Sequence, residues 1–195
     1  MKTLVFGDAP NLAIVELQAR LRSAGYYPST GLIDGVFHVQ LNDAVKKFQE
    51  TAKLKVDGIV GEITWNALTK LTEDNILFLF IHCSASPAGL DLSGQWIYDY
   101  HTKSKGWSRP GYSDVIRLNG QIDNIYPWNG DYKIETWEYT FGTLKLSRCS
   151  RHVCYIGGVD ADDKNKAEDT RTEAQIRTLN AYVDFHVAKY PNIIV

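Results

Sequence analysis

The stretch Ile76-Leu77-Phe78-Leu79-Phe80-Ile81 is a run of six apolar residues that ends at a histidine, His82. The small polar residues Cys83-Ser84-Ala85-Ser86-Pro87 follow directly. An apolar run of this length, bounded by turn-forming residues, is typical of a buried strand. The strand would deliver the imidazole of His82 to the rim of a sheet, so the pattern predicts a functional site at that rim.

Further strands are predicted after His82. Gly111-Tyr112 opens a strand that runs through Leu118, and Asn119-Gly120 is the strongest short signal for a two-residue hairpin turn into Gln121-Ile122. The segment 151–158 is a second buried strand that ends in glycines. Together these segments predict a central sheet.

Two helices are predicted in the same region. Apolar residues at helical spacing over 92–100 indicate a helix toward His101, whose imidazole we expect to be a favourable charge at the helix C-terminus. Thr170-x-x-Glu173 reads as a capping box that starts a long helix. The buried face of this long helix is predicted to carry Ile176, Leu179, Val183 and Val187. A further strand is expected to start at Asn192 and run to Val195.

Residues 1–71 have a different pattern, that of three short helices joined by glycine turns. The phrase Ile33-Asp34-Gly35-Val36-Phe37 recurs as Val56-Asp57-Gly58-Ile59-Val60 between the helices, where Asp-Gly admits a tight turn. The polar residues 72–75 form a joint to the second domain, which we assign to residues 76–195. The predicted fold is therefore a small all-α domain followed by an α/β domain with a mixed sheet flanked by helices.

The N-terminal motifs carry a family resemblance. The elements Val15-x-Leu17-Gln18-x-x-Leu21, Asp34-Gly35-Val36-Phe37, Ala44-Val45-x-x-Phe48-Gln49 and Thr64-Trp65-x-x-Leu68 resemble the peptidoglycan-binding domain type 1. The resemblance implies that residues 1–71 bind bacterial peptidoglycan.

Composition excludes several other partners. The 21 Lys and Arg nearly cancel the 23 Asp and Glu, so no broad cationic surface is expected for nucleic acid. No run approaches membrane-spanning length, and the apolar segment after Met1 is too short for a signal peptide. We expect synthesis in the cytoplasm and action on the cell wall after release or lysis.

The second domain resembles the type-2 N-acetylmuramoyl-L-alanine amidases, the family of phage endolysins and peptidoglycan recognition proteins. The resemblance rests on Ile81-His82-Cys83-Ser84-Ala85, Gly106-Trp107 with Gly111-Tyr112, and Gly157-Gly158-Val159-Asp160. It implies hydrolysis of the amide between N-acetylmuramic acid and L-alanine by a site with one zinc ion, which needs three protein ligands. By the match, His82 is a zinc ligand and Tyr112 a catalytic residue that orients water or stabilises the oxyanion.

The two other zinc ligands of that family lie after the strand expected at Asn192, and the chain holds no counterpart of them. Either the sequence is a truncated product, which we favour, or it is a natural short form. His152 and Cys154 lie two residues apart, on one face of their strand, and could complete an alternative metal set with His82. A catalytically inactive peptidoglycan recognition protein is the competing function. Substrate-binding residues and oligomeric state stay open.

Overall fold

The computed structural model describes residues 2–72, 75–131, 133–143 and 146–195. Its contacts divide the chain into two units, Met1–Leu77 with Ile194 and Phe78–Ile193 with Val195. The division falls inside the apolar run 76–81, and Glu73 and Asp74 of the expected joint lie outside the described residues. Each unit has its own core.

The N-terminal unit consists of the three predicted helices. They are α1 (Leu12–Ser23), α2 (Val39–Thr51) and α3 (Glu62–Leu71). Their apolar faces meet in one buried cluster that includes Leu17, Val45 and Trp65. Burying these side chains together supplies the main stabilisation of a domain this small.

The repeated Asp-Gly phrase is built twice in the same way. Gln18 of α1 accepts a hydrogen bond from Gly35 N and donates to Asp34. Gln49 of α2 likewise accepts from Gly58 N and donates to Asp57. Both glycines have positive φ, 74° and 73°, which an L side chain adopts only with strain. Each turn is thus fixed to a helix by one buried glutamine.

The C-terminal unit has a mixed sheet, as predicted. The strands of the described residues are β1 (Phe78–Cys83), β2 (Ser86–Pro87), β3 (Asp114–Ile116), β4 (Ile122–Asn124), β5 (Ser150–Tyr155) and β6 (Gly158–Val159). The main sheet has the order β1-β5-β3-β4, in which only the β3–β4 pair is antiparallel. β2 and β6 form a separate parallel pair.

The helices of this unit are α4 (Gly94–Asp99), continued by a π-helical turn at Tyr100–Ser104, and α5 (Glu173–Lys189). A short 3₁₀ turn at Ser147–Cys149 leads into β5. Leu179 of α5 packs against Leu79, Ile116 and Val153 of the sheet. This contact closes one face of the sheet.

The hairpin predicted at Asn119-Gly120 forms, but its turn is not the predicted two-residue turn, because Arg117 N bonds to the Gln121 carbonyl and residues 118–120 form the loop. Gly120 has a φ of 84° and donates a backbone hydrogen bond to the Arg117 carbonyl, and Ile116 pairs with Ile122. The predicted strand from Gly111 is longer than the observed one, because Gly111 and Tyr112 lie in the loop before β3.

Three predictions about the other elements are wrong in detail. The strand predicted at 76–81 is shifted, since β1 begins at Phe78 and includes His82 and Cys83. The cap of α5 is Thr172 with Gln175, not Thr170 with Glu173. The buried face of α5 carries Gln175, Leu179 and His186, whereas Ile176 and Val187 are exposed.

The strand expected from Asn192 does not form in the described residues. Ile194 N donates a single backbone hydrogen bond to the Leu77 carbonyl. Among the residues that the structure describes, no helix is long and apolar enough to cross a membrane.

Candidate active site

His82 lies near the carboxyl end of β1, where the parallel neighbour β5 also ends. In the register of this pair His82 is opposite Cys154, and Phe80 is opposite His152. The imidazole of His82 is partly buried, and this burial lowers its pKa from the ordinary value. The carboxyl end of parallel strands is where α/β domains commonly place ligand sites.

His152 of β5 contacts His82 directly. His82 Nε2 lies 2.9 Å from His152 Nδ1, which is hydrogen-bond distance. The ring of His152 is fully buried and stacks on Phe80 with a centroid distance of 5.3 Å. Burial, followed by the proximity of His82 and Arg151, lowers the pKa of His152 to about 3. His152 is therefore neutral at physiological pH.

Ser150 extends this contact, although no role was predicted for it from the sequence. Its hydroxyl lies 2.8 Å from His152 Nε2 and donates to the Leu146 carbonyl at 2.6 Å. Ser150 and His152 are two residues apart and so share one face of β5. Their spacing could have suggested a pair, but not the adjacency of β5 to β1.

Tyr112 lies beside His82, with ring centroids 5.0 Å apart. Burial, followed by the neighbouring thiols of Cys154 and Cys83, raises the pKa of the Tyr112 phenol. The phenol therefore keeps its proton at neutral pH and can donate a hydrogen bond. The structure thus brings His82, Tyr112 and His152 together.

His101 is not the favourable charge at a helix C-terminus that the sequence suggested. It is 8% exposed, stacks on Trp107 at 4.9 Å and meets Tyr112 edge-on at 5.1 Å. Its Nδ1 accepts a hydrogen bond from Gly111 N, and its pKa is lowered by burial and then by Lys105. A neutral imidazole thus supports the loop that carries Tyr112, because the π-helical turn carries its ring into the interior.

The described residues do not complete a zinc site. Among them, no group of three or more His, Cys, Asp or Glu side chains is arranged to hold a metal ion. The two imidazoles are hydrogen-bonded to each other, and Cys154 is a buried thiol whose pKa is raised by burial. The ligand set of His82, His152 and Cys154 stays a prediction.

The second unit is thus an α/β domain with a histidine and tyrosine site at the carboxyl end of its parallel strands, and it follows a three-helix domain. Residues 11–68 match the family of putative peptidoglycan-binding domains. The chain is 29% identical over 116 residues to the endolysin of Enterobacteria phage K11, covering 60% of this chain and 70% of that protein.

The endolysin of Escherichia phage T7 is 27% identical over 117 residues, again 60% of this chain and 70% of the relative. A solved structure, the N-acetylmuramoyl-L-alanine amidase LysC from Clostridium intestinale, has a TM-score of 0.46 and 20% identity, covering 62% of this chain and 66% of that one. The sequence relatives confirm the predicted resemblance: the chain is similar to phage endolysins and has a peptidoglycan-binding domain.

Proposed function

We propose that the chain is a peptidoglycan hydrolase of the amidase type, carried to its substrate by its N-terminal domain. The observation that carries the proposal is the contact of His82 with Tyr112 at the end of β1, in a chain similar to endolysins. The bond we assign is the amide between N-acetylmuramic acid and L-alanine. The bacterial cell wall is then the place of action, and peptidoglycan the partner.

Tyr112 supplies the hydrogen-bond donor for this reaction. When water attacks the amide carbon, the carbonyl oxygen gains negative charge, and a neutral phenol at a fixed position stabilises that charge. The raised pKa keeps the Tyr112 proton in place for this role. His82 supplies an imidazole lone pair beside the same space.

Zinc dependence remains a proposal, with His82 as one ligand. A catalytic zinc site needs three protein ligands and an open position, and the described residues do not provide that arrangement. We therefore derive no catalytic step through the metal. Metal analysis of the purified chain tests the proposal: one zinc per chain that is lost in His82→Ala would identify His82 as a ligand, and a chain that takes up no zinc would overturn zinc dependence for residues 1–195.

The N-terminal domain acts by raising the local concentration of substrate. Once the N-terminal domain is bound to the wall, the encounter of the candidate active site with peptidoglycan becomes intramolecular. Activity on intact walls therefore rises without a new contact at the site. Sedimentation of the chain with purified peptidoglycan measures this binding directly.

The hydrolase proposal is tested by the appearance of N-terminal alanine in digests of purified peptidoglycan. Tyr112→Phe should lower kcat by about 10²–10³, as removal of one oxyanion donor does. Tyr98→Phe, a tyrosine outside the site, is the matched control and should keep full activity.

A catalytically inactive recognition protein is the second candidate. The missing three-ligand cluster among the described residues favours it. Tight sedimentation with peptidoglycan, with no new alanine amino groups from the wild-type chain, would establish the recognition role and overturn the hydrolase proposal.

A further inference from the structure

A continuous line of hydrogen bonds joins the backbone behind β5 to the candidate active site. It runs from the Leu146 carbonyl through the Ser150 hydroxyl and the His152 ring to His82 Nε2. The three links measure 2.6, 2.8 and 2.9 Å. Of these residues, only His82 was singled out by a sequence motif as part of the site.

The direction of every link follows from the first one. A carbonyl oxygen can only accept, so the Ser150 hydroxyl gives its proton to Leu146. The Ser150 oxygen must then accept from His152 Nε2, which therefore carries a proton. A neutral imidazole has one protonated nitrogen, so His152 Nδ1 presents a lone pair and His82 Nε2 must donate to it.

We propose that His152, held by Ser150, is a positioning residue that fixes His82 as its Nε2-protonated tautomer and leaves the lone pair of His82 on Nδ1. The inference deepens the proposed function, since it names the atom through which His82 acts. Nδ1 has no hydrogen-bond partner among the described residues, and the ring is partly exposed. That nitrogen is the electron-pair donor of the site.

The packing around His152 supports a fixed orientation. Phe80 stacks on one side of the ring at 5.3 Å, and the ring is fully buried. Gly142 also lies against this ring, at a place where a side-chain carbon would overlap the imidazole and the Gly111 carbonyl. A ring enclosed in this way cannot turn freely, so its lone pair stays directed at His82.

The inference separates two roles for His152. As a second ligand it would need its Nδ1 lone pair for the ion. As a positioning residue it uses that lone pair to hold the proton of His82, and orientation of a functional histidine by a hydrogen bond at its other nitrogen is a general device.

Nitrogen-15 NMR of the full chain tests the proposal without any activity assay. We expect a proton bonded to His82 Nε2 that shows a coupling across the hydrogen bond to His152 Nδ1. A proton bonded to His152 Nδ1, donating toward His82, would have the opposite polarity and overturn the proposal. Added zinc should leave the coupling intact; its loss on adding zinc would assign His152 as a ligand instead.

Two substitutions at His152 form a matched pair. Asn places its side-chain oxygen near the position of Nδ1 and keeps an acceptor, whereas Leu fills similar space without one. His152→Leu should speed exchange of the His82 Nε2 proton by about fivefold, the factor that one net hydrogen bond is worth, and His152→Asn should restore slow exchange. Equal exchange rates in the two variants would contradict the positioning role.

Ser150→Ala keeps the His152 ring but removes the group that fixes its polarity. This variant should contain a mixture of His82 tautomers, and a single unchanged tautomer would count against the positioning role. If the chain hydrolyses peptidoglycan, His152→Leu should lower kcat with KM unchanged, and His152→Asn should recover it. If the chain does not hydrolyse it, the proposed function fails while the NMR result still decides the tautomer.

Discussion

Gln49 shows how one buried polar residue fixes a turn of the N-terminal unit. It is 1% exposed, and its amide nitrogen lies within hydrogen-bond distance of Asp57, the Ile59 carbonyl and Thr64. Its oxygen accepts from Gly58 N at 2.9 Å. An apolar side chain would leave Gly58 N without this acceptor, whereas Asp57 and the Ile59 carbonyl would keep the hydrogen bonds that they accept from Ile59 N and Thr64 Oγ1.

Gln49→Leu is therefore expected to lower the free energy of unfolding by about 1–3 kcal/mol, the cost of leaving a buried donor without its hydrogen bond. Gln40→Leu makes the same change at an exposed position of α2 and should stay within about 0.5 kcal/mol of the wild type. Thermal unfolding by calorimetry measures both. Equal losses in the two variants would show that Gln49 does not secure the turn.

His186 gives the C-terminal unit a dependence on pH. It is 1% exposed, packs on Tyr182 and Trp128, and donates from Nδ1 to the Tyr182 carbonyl. Burial is the main cause that lowers its pKa; Arg151 and Lys189 also lower it, while the Tyr182 carbonyl and Asp114 oppose the shift. As pH falls, His186 is therefore protonated in the unfolded chain before it is protonated in the folded chain.

The lowered pKa of His186 sets the direction in which stability changes with pH. This contribution to stability is complete above the unfolded pKa of about 6.5 and is lost as pH falls toward the lower folded pKa. His186→Phe keeps an aromatic ring without the titration, so its unfolding free energy should fall less between pH 7 and pH 5 than that of the wild type, by at most about 1.4 kcal/mol per pH unit. Parallel curves for the two proteins would exclude this role.

At the scale of elements, the β3–β4 hairpin is shaped by the helix beside it. Gly120 has a φ of 84°, and a side-chain carbon there would lie 2.9 Å from the Ala174 carbonyl oxygen and from Thr178 Oγ1 of α5. Thr178 also donates to the Gly120 carbonyl. The turn therefore needs glycine for its conformation and for the close approach of α5.

Gly120→Ala should for this reason cost more than the left-handed backbone alone, about 1–2 kcal/mol for that part and about 1–3 kcal/mol more for the overlap. Gly89→Ala is the matched control, because Gly89 has a φ of 81° and open space around it. The urea midpoint of unfolding should be lower for Gly120→Ala than for Gly89→Ala. Equal urea midpoints for the two variants would mean that α5 moves away from the added methyl group without loss of stability.

The elements also show which features the sequence could predict. Local chemistry predicted the three N-terminal helices, the Asn119-Gly120 turn and the strand that carries His82, because periodicity and turn residues act over short ranges. The cap of α5 was displaced by two residues because Thr170 Oγ1 accepts a hydrogen bond from Gly158 N instead, a contact between distant segments. Local patterns do not contain that information.

The candidate site likewise has features that the sequence could predict and features that it could not. His82 and Tyr112 could be singled out because they stand in motifs, and the structure places their ring centroids 5.0 Å apart. The contact of His82 with His152 depends on β5 being the neighbour of β1, which only the sheet order decides. The burial of His101 depends on the π-helical turn, for which the sequence has no signal.

At the scale of the whole molecule, each unit has its own buried core. Leu17 is fully buried in the cluster of the N-terminal unit, and Leu79 is 2% exposed in the cluster between the sheet and α5. Removing part of either side chain leaves a cavity that costs about 2–5 kcal/mol for a leucine replaced by alanine. Since the two cores share no residue, the costs should fall on different parts of the chain.

Calorimetry of the full chain should therefore show two unfolding transitions, and each variant should lower one of them. Leu17→Ala should lower the transition that accompanies loss of sedimentation with peptidoglycan, because the wall-binding domain is the one it destabilises. Leu79→Ala should lower the other and leave wall binding intact at the same temperature. If either variant lowered both transitions equally, the two units would be one cooperative body, and binding and hydrolysis would be lost together on heating.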